Sequence, residues 1–481
     1  MSLLVYNQLK LCQLIHIMLC SFTAIAIAWV VALRFFAKPI VILVELCKIA
    51  IFIVMGIYQS DNGTKVICFL VAAGFVAYDV WARNKLMFAA KMITHSTIAM
   101  KENPVILFGG IFIKLLFAAN AALFVYFFAE SFEVAEIIKK TFETDGYDGC
   151  YFESPKYLTG VDVYLSLSYL WTILLFDKMR LSIVASIVGS WHFHPEDRPS
   201  IVVAIKNIGP SFGTLSVSAL ISSIAEYINK MLLSEGCSSW ISPTICITFP
   251  LHLLMCLFGA CLSTVVKMLT KFSVILHVFT GQAFVGSAKS VFKILSRHFK
   301  GGFVTEVTSR SVLAFGSYGF SIAIAMISWK WIDDRFDCGT LAKTDDDDGL
   351  GQAFWILQLL IVFFNVWYPV LGIYVIILIN KYVQDYGKDV LQEGGDSINY
   401  LWIPPLAAAF VGCISMLIFT FLSGIFLDTI DTLFLCFAID KDNNVDLADS
   451  EFESLVKEMP NYTEAEVVSV DESLSKKEDV A

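Results

Sequence analysis

Asp177, Lys178 and Arg180 stand in the middle of SYLWTILLFDKMRLSIVASIVGSW, residues 168–191, a run otherwise apolar enough to lie in hydrocarbon. Ionised groups at that depth are costly, and they are either held by partners or placed along a path for ions and polar cargo. The three-residue spacing makes Asp177 and Arg180 neighbours on one helix and able to pair. Lys178 falls on another stripe with Tyr164 and Trp171, each seven residues from the next. Glu45, three residues before Lys48, and Glu226 are acids in other apolar runs that are able to reach it. The cluster therefore reads as an interhelical ion-pair network, either a gate that moves or a brace for a locally irregular helix.

A second pattern lies near the C-terminus. In DKDNNVDLADSE, residues 440–451, Asp440, Asp442, Asn444, Asp446 and Glu451 take positions 1, 3, 5, 7 and 12 of an EF-hand calcium loop. Val445 replaces the glycine that makes the sharp turn, so the segment reads as a solvated acidic tail without metal, with a calcium site as the weaker alternative. His192 and His194, two residues apart, suit a polar turn better than a metal site. No constellation for making or breaking covalent bonds and no phosphate-cradling glycine loop is visible, so the expectation is a non-enzyme with no cofactor and no nucleic-acid partner.

The elements that must position these residues follow from composition. Apolar residues make up 57% of the 481, charged residues only 16%, and mean hydropathy is +0.70. That is too much apolar surface for a water-soluble fold. Helices of roughly 20 apolar residues span the hydrocarbon core. Such runs recur at 11–33, 39–58, 64–82, 104–128, 163–190, 209–229, 244–269, 311–332, 352–379 and 402–427. The fold class is an all-α polytopic transmembrane bundle of about 9–10 spans, with a short segment 1–10, a transmembrane body 11–437 and an acidic tail 438–481. Residues 428–481 hold 15 Asp and Glu against 4 Lys, so the net charge of −10 belongs to that tail and not to the body.

With the N-terminus outside, the loops 34–38, 83–103, 191–208 and 267–310 carry 15 Lys and Arg and face the cytosol by the positive-inside rule. Two of these segments, 83–104 and 281–302, mix apolar and basic residues at helical spacing. Lys289, Lys293, Arg297 and Lys300 lie on or near one face of the second. Both read as inner amphipathic helices lying on the membrane, their cations toward anionic headgroups, as anchors or as parts that move.

LRFFAKPIVILVELCKIAIFIVMGIY (33–58), the stretch 83–104, SFGTLSVSALI (211–221), GQAFVGSAKSVFKIL (281–295) and YLWIPPLAAAFVGCISMLIFTFLSGIFLDTIDTLFLCF (400–437) resemble, in order, the choline transporter-like family. The closing DTLFLCF, 431–437, is the most specific match. The resemblance implies a carrier for choline, in some members ethanolamine, in the plasma membrane or an organelle membrane, with a cytosolic C-terminus. The chain departs from the family in three places. The family's first span and large external loop have no counterpart before Leu33. Residues 351–380 are extra, and Asn365, Pro369 and Gly372 suit either a re-entrant hairpin or a single crossing. Asp177, Lys178 and Arg180 stand where the family has apolar and small residues.

Choline carries a quaternary ammonium without an N–H, so aromatic faces rather than hydrogen bonds hold it, each contributing about 0.5–2 kcal/mol. Under the resemblance, Trp171, Tyr164, Tyr169, Phe212 and Trp402 are candidate faces, and Ser216 is a candidate for the choline hydroxyl. Packing and interfacial belts are the competing explanation for each. The serines that follow Gly209 likewise suit close helix packing. One positive charge entering a negative interior gains about 2.3 kcal/mol per 100 mV, so downhill entry needs no cofactor. Exchange against protons is the other mode. The competing classes are a channel or lipid-handling protein on the same scaffold, and a calcium-responsive adaptor acting through the tail.

Overall fold

A computed structural model describes residues 2–58, 62–133, 136–141, 148–153, 156–194, 196, 200–238, 245–336 and 403–442. The segment 351–380, Trp402 and the chain beyond Asp442 lie outside them. Nine helices are described: α1 Ser2–Tyr58, α2 Asn62–Glu102, α3 Val105–Glu133, α4 Lys156–Phe193, α5 Ile201–Lys206, α6 Ile208–Ser238, α7 Ile245–Thr280, α8 Phe284–Phe336 and α9 Ile403–Asp442. The strands β1 Glu136–Thr141 and β2 Asp148–Glu153 pair antiparallel, Glu136 opposite Glu153, in the connection between α3 and α4. The protein is an all-α polytopic membrane protein, with one small hairpin among the described residues.

Six helical stretches among the described residues are long and apolar enough to cross a membrane: Ser21–Tyr58, Val105–Phe128, Ile208–Asn229, Leu262–Thr280, Gly301–Trp331 and Ala408–Asp442. The first merges two of the apolar runs. The connector expected at 34–38 shrinks to one non-helical residue, Phe36, with φ −121° and ψ 18°. Pro39 accounts for it, because its ring crowds the carbonyl of Phe35 and it has no N–H to donate there. The runs 64–82 and 163–190 lie within α2 and α4.

Helix ends are set by local chemistry. Pro104 stops α2, and Asn103 Nδ2 donates 3.0 Å back to the Ala99 carbonyl. Gly281, at φ 70°, ends α7 in the left-handed region that favours glycine, with its N–H 2.7 Å from the His277 carbonyl. His277 Nδ1 and Ser287 Oγ then meet the Gln282 carbonyl at 2.5 and 3.0 Å, tying the start of α8 to the end of α7.

The chain forms two compact units. One comprises Met1–Trp29, Phe112–Ile173 and Leu313–Gly424; the other comprises Val30–Ile111, Leu174–Val312 and Ile425–Ala481. In the first, Phe320 stacks on Phe419 at 5.5 Å between ring centroids and meets the Trp29 edge at 5.3 Å. Ser317 Oγ lies 2.9 Å from Ser423 Oγ, and a Cβ on Gly412 would come 2.9 Å from that of Ala325. In the second, α6 packs on α7 through small residues: Ala219 is fully buried, and Ser218 and Ser222 reach Thr270. A Cβ on Gly302 would sit 2.9 Å from the buried Phe434 ring. Gly302→Ala is therefore expected to destabilise the protein by about 1–3 kcal/mol, read as a lower thermal midpoint in nanodiscs, whereas Gly319→Ala, with open space around its Cβ, should be neutral.

Both segments expected to rest on the membrane as separate helices are parts of longer helices, α2 and α8. Residues 83–102 form the second half of α2, and Ala89, Met92, Ile93, Ser96 and Ala99 are fully buried there, so this stretch packs among protein. The start of α8 differs. Ser287, Val291 and Leu295 are buried along one stripe, while Val285, Lys289, Phe292 and Lys293 are exposed.

Candidate functional site: a buried ionic network

The charges of the second unit converge on α9. Asp428, 4% exposed, takes Arg180 Nε of α4 at 2.9 Å on one carboxylate oxygen and Lys271 Nζ of α7 at 3.2 Å on the other. One turn further along α9, Asp431 is fully buried and forms an ion pair with the same Lys271. Arg180 also meets Asp177 at 3.3 Å across one helical turn. On α8 the buried Glu306 accepts from Arg310 Nη2 at 2.5 Å and lies within electrostatic range of Lys271 and Asp431. Four acids, Asp177, Glu306, Asp428 and Asp431, thus face four bases, Lys178, Arg180, Lys271 and Arg310. Pairing offsets the cost of taking the buried acids Glu306, Asp428 and Asp431 out of water.

Lys178 is 8% exposed, and its Nζ lies 3.4 Å from Thr270 Oγ1 on α7. Thr270 is a hub: its hydroxyl is 2.9 Å from that of Ser222, and its carbonyl accepts from Ser218 at 3.2 Å, both on α6. The acids expected to reach Lys178 are engaged elsewhere. Glu45 pairs with its own neighbour Lys48 at 2.6 Å, and Glu226 meets Lys267 at 3.3 Å. The elementary reason is spacing: a partner three residues away on the same helix, or on the helix packed alongside, is met before one across the bundle. Sequence reasoning missed Lys271, Asp428, Asp431, Glu306 and Arg310. The available signal was an acid pair, Asp428 and Asp431, three residues apart inside an apolar run.

The candidate aromatic faces do not fall in one unit. Tyr164, Tyr169 and Trp171 belong to the first, Phe212 and Ser216 to the second, and Trp402 lies outside the described residues. Tyr164 is 69% exposed and Phe212 46%, as side chains facing lipid would be. Tyr169 packs on Phe124 with ring centroids 5.0 Å apart, and Trp171 is half-buried.

The end of α9 revises the calcium reading. Asp440 and Asp442, the first two expected ligands, are helical and committed to cations: Asp440 to His192 Nε2 at 2.6 Å, Asp442 to Arg297 Nη1 at 3.4 Å. Two residues apart on a helix, they point away from each other and do not converge on one ion. Asn444, Asp446 and Glu451 lie outside the described residues. His192 is also ringed by Phe193 and Phe437, at 5.0 and 5.4 Å, and Trp191 Nε1 beside it donates to Glu102 of α2 at 2.9 Å. The histidine is thus part of a tie between helix ends.

Known proteins are similar to this chain in sequence. Protein PNS1 of Cryptococcus neoformans var. neoformans serotype D, from each of two strains, is 24% identical over 321 residues, covering 62% of this chain and 56% of its own. A CTL-like protein of Dictyostelium discoideum is 22% identical over 173 residues, 34% of this chain and 31% of its own. The chain therefore spans about half the length of the PNS1 relatives it matches. The profile of the plasma-membrane choline transporter family covers residues 66–442, which takes in α2 to α9 and every member of the ionic network. The chain belongs to the plasma-membrane choline transporter family.

Proposed function

We propose that this protein carries choline or a closely related small amine across a membrane by alternating access, and that the ionic network of the second unit is the element that rearranges. The observation that carries the reading is Asp428, buried at span depth and shared between a guanidinium on α4 and an ammonium on α7. Such a bridge is strong while intact. It has a defined alternative, in which either cation lets go and Asp428 keeps the other, so α4 and α7 can part without an ion being left alone. Buried intramembrane charge of this kind is characteristic of transport paths. Family membership supports the cargo class. A quaternary ammonium has no N–H to donate, so the cargo's cation is held by aromatic faces, with Trp171 the foremost candidate. The inward movement of one positive charge is favoured by about 2.3 kcal/mol per 100 mV of negative-inside potential.

The test is uptake of labelled choline into proteoliposomes holding the purified protein. Saturable uptake, competed by unlabelled choline, is the expected result, and uptake no faster than into empty vesicles rejects the reading. Trp171→Ala is expected to raise the KM for choline by about 3- to 30-fold, the loss of one desolvated ring face.

A further inference from the structure

We infer that the exposed face at the start of α8 is an intramolecular docking site for the acidic tail that follows Asp442. Val285, Lys289, Phe292 and Ser296 lie on one side of the helix, opposite the stripe Ser287, Val291 and Leu295 that is buried against protein. Val285 is 63% exposed and Phe292 64%, flanked by the exposed ammonium groups of Lys289 and Lys293. Phe292 stands nine residues before Gly301, where the apolar stretch of α8 begins, a rise of about 13 Å along a helix. A phenyl ring and a valine at that distance from the span, with cations beside them, have the composition of a contact surface: an apolar centre and a charged rim.

The occupant is indicated by where the chain goes. Asp442 ends α9 with its carboxylate 3.4 Å from Arg297, one turn from Lys293 and two from Lys289. The next residues therefore leave from the edge of this face. Residues 443–481 contain 11 Asp and Glu against 3 Lys, and DLADSEFESLVKEM, 446–459, sets Phe452, Leu455, Val456 and Met459 among acids. Ten extended residues reach about 33 Å, ample to bring Phe452 to Phe292, which lies some 8 Å along α8 from Arg297. Asp440 and Asp442 are already committed to His192 and Arg297. In the docked tail the acids beyond them meet Lys289 and Lys293, while Phe452 and Leu455 cover Phe292 and Val285.

The experiment is amide hydrogen exchange on the full chain in nanodiscs of neutral lipid, following residues 446–459. Docking predicts protection of this stretch by about tenfold or more over its intrinsic rate. Lys289→Glu with Lys293→Glu should remove the protection, and adding Glu451→Lys with Glu453→Lys should restore it. Both α8 positions are exposed, so the variants leave the buried stripe intact. A tail that exchanges at its intrinsic rate in the wild type, or that keeps its protection in the charge-reversed variant, overturns the inference. A Phe292→Cys label tests the alternative cover. If anionic lipid shields the label while removal of residues 446–481 leaves its reactivity unchanged, the face serves the membrane and not the tail. The readouts are independent of transport, so the inference stands or falls apart from the proposed function.

Discussion

Lys271→Met is expected to produce the largest loss of stability of any single replacement in the second unit, about 3–5 kcal/mol. Lys271 is the ion-pair partner of the fully buried Asp431 and one of two cations on Asp428. Removing it leaves Asp431 in the interior without its ion-pair partner, and the penalty is that poorly compensated charge more than the lost attraction. Methionine keeps the volume, so packing is not the cause. The second arm follows from this: Asp431→Asn on the Lys271→Met background should recover most of the loss, because Asp428 still has Arg180 and no ion is stranded. Thermal unfolding of the purified variants in nanodiscs reads both arms. A double variant no more stable than the single would show that Lys271 acts through packing and not through charge.

Arg180→Met is expected to cost somewhat less, about 2–4 kcal/mol, because Lys271 remains on Asp428. Arg180→Lys should recover only part of the loss. The guanidinium places Nε on Asp428 and an Nη on Asp177 at once, a fork that a single ammonium does not reproduce. Asp177→Asn is the internal control. Its side chain is 48% exposed, and it is the outer member of the chain of pairs, so its loss should cost under about 1 kcal/mol. If Asp177→Asn and Arg180→Met were equally damaging, the hierarchy from buried to exposed carboxylate would be wrong.

The helical class and the membrane body were legible because apolar runs of span length carry their own signal, and the family likeness was legible in the order of its short matches. The Asp177–Arg180 pair was legible in its three-residue spacing, but the partner of Arg180 on another helix, Asp428, was not. Hydropathy places Glu306 and Arg310 in an inner loop and ends the run on α7 before Lys271, because charged residues lower the local average whether or not they are paired. Glu306 is nonetheless buried on α8, and Lys271 finds Asp428 and Asp431 on another helix, a tertiary pairing that no window contains. The same blindness explains 83–104: helical periodicity with an apolar face says that something covers that face, and in α2 the cover is protein. Pro39 was visible but its consequence was not, since a proline bends a helix at the residues before it without obliging the chain to form a loop. The EF-hand spacing in 440–451 was a weaker alternative to a solvated tail, and its first two positions, Asp440 and Asp442, are helical. A ligand pattern needs a loop to bring its oxygens together, and α9 runs on through Asp442.

The most direct test of the account is choline uptake by the Lys271→Met/Asp431→Asn protein, once its thermal midpoint is back near that of the wild type. This variant keeps the fold and the charge balance but lacks the Lys271 bridge between α7 and α9. If the network is the element that rearranges, uptake in proteoliposomes falls by about tenfold or more at matched stability and matched insertion. Uptake at the wild-type rate would contradict it, leaving the buried charges as a brace and placing the moving parts of the carrier elsewhere.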